Sequence, residues 1–209
     1  MVLVTVLCVG RLSAATQELI VNGDFEIGNT GFTSEYVHRD CEITTPGWYS
    51  MTSNPRDCHS LAVSMGDHTT GAGLMLAANG ENDSGSDVVV WSQDVNVTPQ
   101  TPYEFSAWVS NWQPAAKSPP QMDFLFNGVS VGTFNDATTP AAWRQFTTTW
   151  NSVDSTSVTI EIIDRNIASS GNDFALDDIS FNAIPEPSTL ILLTMGAAGL
   201  LAYARRRRK

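Results

Sequence analysis

Short runs of valine, isoleucine, phenylalanine, tryptophan and threonine recur along the chain, separated by glycine, asparagine, aspartate, threonine and proline. Apolar and polar positions alternate within several runs, as expected of strands with one buried face. No stretch before the C-terminal tail shows a convincing helical period. The predicted strands are residues 19–25, 74–78, 88–97, 103–112, 122–126, 129–134, 143–150, 158–164 and 174–181. Their length and spacing predict an all-β domain, a β-sandwich.

Two local signals refine this prediction. Asn127-Gly128 separates two of the runs and is a strong hairpin signal. In the run 88–97, alternation assigns Trp91 and Val95 to one face of the strand and Val90 to the other.

The C-terminal end has a different pattern. The 17 residues of 188–204 carry no charge, which is the short end of what a helix needs to cross a hydrocarbon core of ~30 Å. Arginines at 205, 206, 207 and 208 and a final lysine follow them. The positive-inside rule places these cations in the cytoplasm and the preceding chain outside. The segment predicts one transmembrane helix with a basic tail, and a buried core helix with a solvated basic end is the alternative.

The N-terminal end reads as a secretory signal peptide of residues 1–15. Residues 2–9 are an apolar run, and Ser13 and Ala15 are the small residues required before a cleavage site. No charge precedes Arg11, so the basic start of such signals is missing. A first β-strand is the alternative, although a better strand pattern follows at once.

Removing both ends leaves one domain, residues 16–182, joined to the span by a linker at 183–187. The chain has 11 basic and 22 acidic residues. Without Arg11 and the five cations of the tail, five basic residues remain. Without Glu186, 21 acidic residues remain, for a net charge of about −16. This charge argues against nucleic acid and anionic membrane surfaces as partners, and fits a soluble extracellular protein or one that binds Ca²⁺.

Two cysteines stay in the domain, since Cys8 leaves with the signal peptide. In an exported protein, Cys41 and Cys58 predict a disulfide. A metal site that includes His38 and His59 is the alternative, but no CxxC or HxxxH spacing supports it.

The order of features in the tail resembles the PEP-CTERM sorting signal of Gram-negative bacteria. Pro185, Glu186 and Pro187 precede the apolar span, and Arg205, Arg206, Arg207 and Arg208 follow it. The resemblance implies processing by exosortase, a membrane transpeptidase, and a final place at the cell surface or in the biofilm matrix. Before processing, the protein would be anchored in the inner membrane by its C-terminal helix.

Four motifs of the domain resemble the galactose-binding-like jelly roll, a fold of many carbohydrate-binding modules. They are NGDFE at 22–26, YEFSAW at 103–108, WRQF at 143–146 and LDDISF at 176–181. The resemblance spans most of the domain and implies a jelly-roll β-sandwich. It says little about the ligand.

The same resemblance implies a structural Ca²⁺ between the first and last strands. Carried over by position, Glu26 and Asp178 would be carboxylate ligands, with Asp67 and backbone carbonyls of the loop 67–71 completing the set. The alternative is that Asp177 and Asp178 cap a turn while Glu26 is solvated. We do not expect Asp177 and Asp178 to form a catalytic pair, because adjacent residues of a strand point to opposite faces.

A glycan site needs exposed aromatic rings beside amides and carboxylates. The best candidates are Trp48 and Tyr49 near the predicted disulfide, and Trp112 with Asn111 at a strand end. Each of these aromatics could instead be a core or edge residue. The family pattern places Trp108 and Trp143 in the core.

No common catalytic or nucleotide-binding motif occurs in the sequence. We therefore expect an exported, non-catalytic binding protein, with carbohydrate as the ligand. The alternative is a structural or interaction protein of the envelope or matrix, with an inert Ca²⁺-stabilised sandwich. A hydrolase is a third, weaker hypothesis. The polar stretch 80–87 is either a second, weak ion site or a flexible connection.

Overall fold

The computed structural model describes residues 17–82, 87–114, 118–168 and 170–185, together with 196, 198–200, 203 and 205–207. The predicted signal peptide, Glu186, Pro187, Arg208 and most of the predicted span lie outside these residues. Two compact units are present: Gln17–Ala183 is one, and Met1–Thr16 with Ile184–Lys209 is the other.

Within the described part of the larger unit there are ten strands and one short helix. They are β1 Val37–His38, β2 Trp48–Thr52, α1 Pro55–Cys58, β3 Met75–Ala78, β4 Val89–Asn96, β5 Pro102–Asn111, β6 Met122–Phe126, β7 Val129–Phe134, β8 Arg144–Asn151, β9 Ser157–Asp164 and β10 Phe174–Ala183. They form a six-stranded sheet of order β1-β2-β3-β10-β5-β8 and a four-stranded sheet of order β4-β9-β6-β7. Every strand pair is antiparallel except β1 with β2.

The main core lies between the two sheets. The larger sheet contributes residues such as Leu76, Phe105 and Phe181, and the smaller sheet contributes Phe124 and Ile160. Alternate positions of each strand supply these side chains, because successive residues of a strand point to opposite faces. The sandwich predicted from the period of two is therefore confirmed.

A second, smaller core covers one end of the outer face of the larger sheet. Ile43, Cys58 and Met65 pack from outside onto Trp112 and Ala175 of the sheet region. The predicted disulfide between Cys41 and Cys58 is present, with Cα atoms 4.4 Å apart. It ties together the segment that covers this face.

The opening segment differs from its predicted strand. Residues 19–25 form turns, with an isolated bridge from Glu18 to Asn182, and Asn22 and Phe25 have positive φ angles of 59° and 57°. Gly23 lies so close to Ile179 that an added Cβ would be 1.9 Å from its carbonyl oxygen. The segment follows the last strand closely without becoming a regular strand.

The two faces assigned to 88–97 also need a correction. The β4–β9 register shifts between Val89 and Trp91. Because a bulge changes which way the next residues point, Val90 and Trp91 are both fully buried. Strands β1 and β2 and helix α1 were not predicted from the sequence.

In the smaller unit, the described tail residues 196, 198–200, 203 and 205–207 are helical. Arg207 lies over the ring of Tyr203, with 5.4 Å to its centroid. Among the described residues, no helix is long and apolar enough to cross a membrane.

Candidate functional site

A bulge in β10 brings two adjacent carboxylates to the same loop. The β10–β5 register shifts between Asp177 and Ser180, and Asp178 has a positive φ of 45°. Asp177 and Asp178 both contact the loop 67–74 as a result. The expectation that adjacent residues point to opposite faces is wrong here, because the bulge interrupts the alternation.

Asp177 is fully buried and accepts three hydrogen bonds from backbone N–H groups. Its Oδ2 accepts from His68 at 2.7 Å and Thr69 at 3.3 Å, and its Oδ1 accepts from Asp178 at 2.9 Å. Burial raises the pKa of Asp177 to about 7, and the nearby charge of Asp178 adds to this, while the hydrogen bonds oppose it. Asp177 thus fixes the start of the loop against β10.

Asp67 holds the same loop from inside. Its carboxylate accepts N–H hydrogen bonds from Thr70 and Gly73, each at 2.8 Å. Burial acts to raise the pKa of Asp67, but these hydrogen bonds together outweigh it and the net pKa is lowered. Asp67 is therefore a charged internal acceptor that gives the loop its shape.

The loop presents an aromatic platform, which we define as Trp108, His68 and Trp143. The His68 ring stacks on Trp108 with centroids 3.7 Å apart and an interplanar angle of 17°. Trp143 meets His68 edge to face at 5.9 Å. Nδ1 of His68 is 2.5 Å from Oδ2 of Asp178, and their side chains are 27% and 29% exposed. These contacts fix the arrangement of the rings, which keep part of their surface in solvent.

Polar side chains adjoin the platform on the outer face of the larger sheet. Gln145 of β8 lies opposite Trp108 of β5, and Thr147 lies opposite Ser106. Gln145 and Thr147 are exposed, and Ser106 is half-buried. The Trp143 indole donates to the Gly66 carbonyl at 3.1 Å, which fixes its orientation. The face combines aromatic surface with amide and hydroxyl groups.

Trp108 and Trp143 are both half-buried. Trp143 packs against the smaller core, whereas Trp108 belongs to neither core, so the assignment to the core is wrong for Trp108. The alternation of β5 could have indicated this for Trp108. Its neighbours Ala107 and Val109 are both in the main core, so Trp108 must point outward.

Two of the predicted sugar contacts are wrong because the side chains are buried rather than exposed. Trp112 and Asn111 are both completely buried. The Trp112 indole donates to the Phe174 carbonyl at 2.8 Å, inside the smaller core. The segment 43–65 covers Trp112, and Asn111 is buried as well, so neither side chain can reach a ligand.

The other two predicted sugar contacts, Trp48 and Tyr49, differ in their exposure. Tyr49 is only 4% exposed, and its hydroxyl donates to Oδ1 of Asn29 at 2.7 Å. Trp48 is half-buried, with the guanidinium of Arg39 lying 4.2 Å from its ring centroid. Trp48 alone of the four predicted contacts keeps accessible aromatic surface.

The three predicted calcium ligands all contact the loop 67–74. Oε1 of Glu26 accepts from the Leu74 N–H at 2.9 Å, and Oδ1 of Asp178 accepts from the Thr69 hydroxyl at 2.8 Å. Each of these three carboxylates accepts hydrogen bonds from N–H or O–H groups. Such groups act as hydrogen-bond donors in these contacts, whereas a cation needs oxygen lone pairs as ligands. In the described residues, no group of three or more Asp, Glu, His or Cys is arranged to hold a metal ion. The calcium site stays a prediction.

Sequence reasoning also missed a groove on the smaller sheet. It has a volume of about 630 Å³ and lies where Phe32 and Thr33 cross Ser92, Asp94 and Thr159. Thr33 and Ser92 form a β-bridge outside the named strands, which holds the crossing segment in place. No local sequence signal pairs residues so far apart.

The tail matches a known family. Residues 183–209 match the PEP-CTERM protein-sorting motif. The motif indicates an exported protein that exosortase handles. No curated protein matches the chain in sequence.

The domain is similar to several solved structures. A Stig cyclase, Fisc, from Fischerella sp. TAU superposes with a TM-score of 0.57 at 12% identity, covering 83% of this chain and 100% of the cyclase. The CBM22-1–GH10 modules of Clostridium thermocellum xylanase 10B, complexed with xylohexaose, give 0.50 at 10% identity, covering 81% of this chain and 29% of that one. A family 16 carbohydrate-binding module gives 0.48 at 16% identity, covering 78% and 98%. At these identities the likeness shows the fold alone, a two-sheet sandwich consistent with a jelly roll.

Proposed function

We propose that this is an exported, non-catalytic carbohydrate-binding protein that contacts polysaccharide through the platform of Trp108, His68 and Trp143. One observation carries the proposal. A partly exposed aromatic surface, held by packing and hydrogen bonds, lies on a sheet face that also offers amide and hydroxyl groups. Sugar rings stack on aromatic faces, and their hydroxyls need directional hydrogen-bond partners of this kind.

The rigidity of the platform supports binding. Asp177 and Asp67 fix the loop, the loop fixes His68, and His68 packs on Trp108. A ligand that binds a preorganised surface loses less free energy to ordering it. The fold likeness to a xylohexaose complex agrees with this proposal but does not identify the sugar.

We propose that the protein is non-catalytic because of how the acids near the platform are arranged. Glycoside hydrolysis uses two carboxyl groups about 5–9.5 Å apart on either side of the bond that is cut. Asp177 is fully buried and accepts three backbone hydrogen bonds, and Asp178 is its sequence neighbour. The hydrogen bonds of this pair support the geometry of a loop.

The sorting motif of the tail bears on the cellular location of the protein. We propose that the segment 188–204 anchors the precursor in the inner membrane of a Gram-negative bacterium, and that exosortase then processes it near Pro185–Pro187. The product would lie at the cell surface or in the extracellular matrix, where polysaccharide is abundant. A structural Ca²⁺ at Glu26, Asp67 and Asp178 is part of the same proposal and is tested separately below.

A second candidate function is a structural or interaction protein whose sandwich is an inert spacer. The burial of Tyr49, Trp112 and Asn111 favours it, because three of the four side chains expected to contact sugar cannot do so. This candidate requires that the platform has no affinity for glycans.

Binding of the purified protein to xylohexaose, xylan, cellulose and alginate separates the two candidates. Millimolar Ca²⁺ and EDTA are compared. We expect saturable binding to at least one polysaccharide, weakened roughly tenfold or more by Trp108→Ala, since truncation of a central aromatic contact typically costs that much. Trp48→Ala is the matched control, because Trp48 is also half-buried but lies away from the platform. No binding to the panel would favour the spacer, and equal losses in both variants would contradict the platform as the specific contact surface.

A further inference from the structure

Two further buried acids lie at strand ends, apart from the loop 67–74. Asp164 ends β9 and Asp173 immediately precedes β10, while the partly buried Glu81 follows β3. The side-chain amide of Asn172 connects these elements, donating to the Glu81 carbonyl at 2.9 Å and the Asn166 carbonyl at 2.6 Å. We call Asp164, Asp173 and their neighbours Tyr36 and Asn172 the Asp164 cluster.

Asp164 is the unusual member of the cluster. It is only 8% exposed. Its Oδ1 accepts N–H hydrogen bonds from Gln121 and Asn166, both at 3.0 Å. Its Oδ2 is buried and has no hydrogen-bond partner among the described residues. A buried carboxylate oxygen without a partner is costly, and burial raises the pKa of Asp164 to about 7.

Asp173 adds a second carboxylate to this place. It is 3% exposed, and the side-chain amide of Gln113 donates to its Oδ2. The charge of Asp173 acts on Asp164, and the charges of both act on Tyr36, whose pKa is raised mainly by burial. The Tyr36 hydroxyl accepts the Glu81 N–H at 2.8 Å, which keeps its oxygen within the cluster.

No protein cation neutralises these two acids in the part of the chain that the structure describes. The nearest basic residue in sequence, Arg165, pairs with Asp87 and with Asp123. The other ion pairs of the described residues join His68 to Asp178 and Arg144 to Asp136. Among the described residues, no ion pair therefore compensates the charge of Asp164 or Asp173 when they are ionised.

We propose that the Asp164 cluster binds a hard divalent cation, Ca²⁺ in the first instance, through Oδ2 of Asp164 and the carboxylate of Asp173. The named side chains offer oxygen and no imidazole or thiolate, which favours Ca²⁺ over Zn²⁺. Ca²⁺ takes six to eight oxygen ligands, so neutral protein oxygens and water complete the shell around two carboxylates. The cation supplies the partner that Oδ2 lacks. This site is separate from Glu26, Asp67 and Asp178, and independent of the proposed sugar contact.

Calcium titration of the purified protein by calorimetry, together with melting curves in EDTA and in Ca²⁺, tests the proposal. We expect Asp164→Asn to weaken Ca²⁺ binding at the site roughly tenfold or more, as loss of a charged ligand does. In EDTA the same variant melts no lower than the unaltered protein, because an amide replaces an unpaired buried charge. Asp173→Asn weakens Ca²⁺ binding as well, and supplies the test should Asp164→Asn fail to fold.

Two comparisons make the result specific. Asp154→Asn, an exposed acid on another turn, is the matched control and leaves both readouts unchanged. Asp178→Asn reports on the other predicted ion site. Unchanged Ca²⁺ affinity in Asp164→Asn and Asp173→Asn would overturn the proposal, and so would a protein that binds no Ca²⁺. Either result would make Asp164 a protonated buried acid. Loss of all binding in Asp178→Asn alone would place the ion at the other site.

Discussion

Asp177 and Asp164 are alike in burial and differ in their surroundings. Burial raises the pKa of each to about 7. Asp177 accepts three backbone hydrogen bonds distributed over both of its oxygens. Asp164 accepts two, both on Oδ1, while its Oδ2 has no partner among the described residues.

The comparison shows that a raised pKa does not by itself distinguish a structural carboxylate from one that binds a ligand. The distribution of hydrogen bonds over the two oxygens does. Both oxygens of Asp177 accept hydrogen bonds from the backbone, so this carboxylate has a structural role within the fold. Asp164 has one oxygen without a hydrogen-bond partner among the described residues, which is why we propose that a cation binds there.

The largest expected effect is that of Asp177→Ala. The change leaves the N–H groups of His68, Thr69 and Asp178 without their acceptor, and a buried donor without a partner costs about 1–3 kcal/mol. We expect a loss of roughly 2–4 kcal/mol in the free energy of unfolding, measured by urea denaturation, since removal of the buried charge offsets part of the cost. The platform should loosen and sugar binding should fall in parallel.

Asp154→Ala is the control for that change, because an exposed acid should alter the free energy of unfolding by no more than about 0.5 kcal/mol. A stability of Asp177→Ala equal to that of the control would show that Asp177 does not hold the loop.

The pH dependence of stability should be the next largest effect. The pKa of Asp177 is raised from 3.8 to about 7 in the folded protein, so the folded state binds more protons than the unfolded state between these values. The contribution is therefore fully present below about pH 4 and is lost as the pH rises through about 7. Asp164 and Asp173 act in the same direction.

Melting temperatures measured across this pH range, in EDTA, test that effect. Asp177→Asn should make the decline with pH shallower without abolishing it, because Asp164 and Asp173 still titrate. An unchanged slope in this variant would mean that Asp177 ionises in the folded protein much as it does in the unfolded chain.

The smallest expected effect concerns Glu26, which is exposed at the edge of the loop 67–74. If the calcium site implied by the jelly-roll resemblance exists, Glu26→Gln should reduce the rise in melting temperature that Ca²⁺ produces. Gln preserves the hydrogen bond from the Leu74 N–H, so the melting temperature in EDTA should change little. An unaltered response to Ca²⁺ would remove Glu26 from the ligand set.

Most of the strands could be predicted because their buried residues recur at every second position. The hairpin at Asn127-Gly128 joins β6 and β7 as its sequence indicated. The conformation of the opening segment could not be predicted. Its close approach to Ile179 at Gly23 depends on a strand more than a hundred residues later. Strand β2 is buried at most positions on both faces, so it lacks the alternation that identified the others.

The candidate site was less predictable because two physical effects act at long range. The segment 43–65 covers Trp112 and leaves Trp108 partly uncovered, although both point outward from the same sheet. The bulge at Asp177 and Asp178 turns two neighbouring acids toward one loop. Neither the covering segment nor the bulge has a local sequence signal.

The most direct test of the central claim follows the indole N–H signals of the tryptophans by NMR while the purified protein is titrated with xylohexaose or another glycan from the panel that binds. If the platform is the binding surface, the signals of Trp108 and Trp143 shift with the ligand, whereas the buried Trp112 and the distant Trp48 stay in place. Shifts at Trp48 without any at Trp108 would contradict the account.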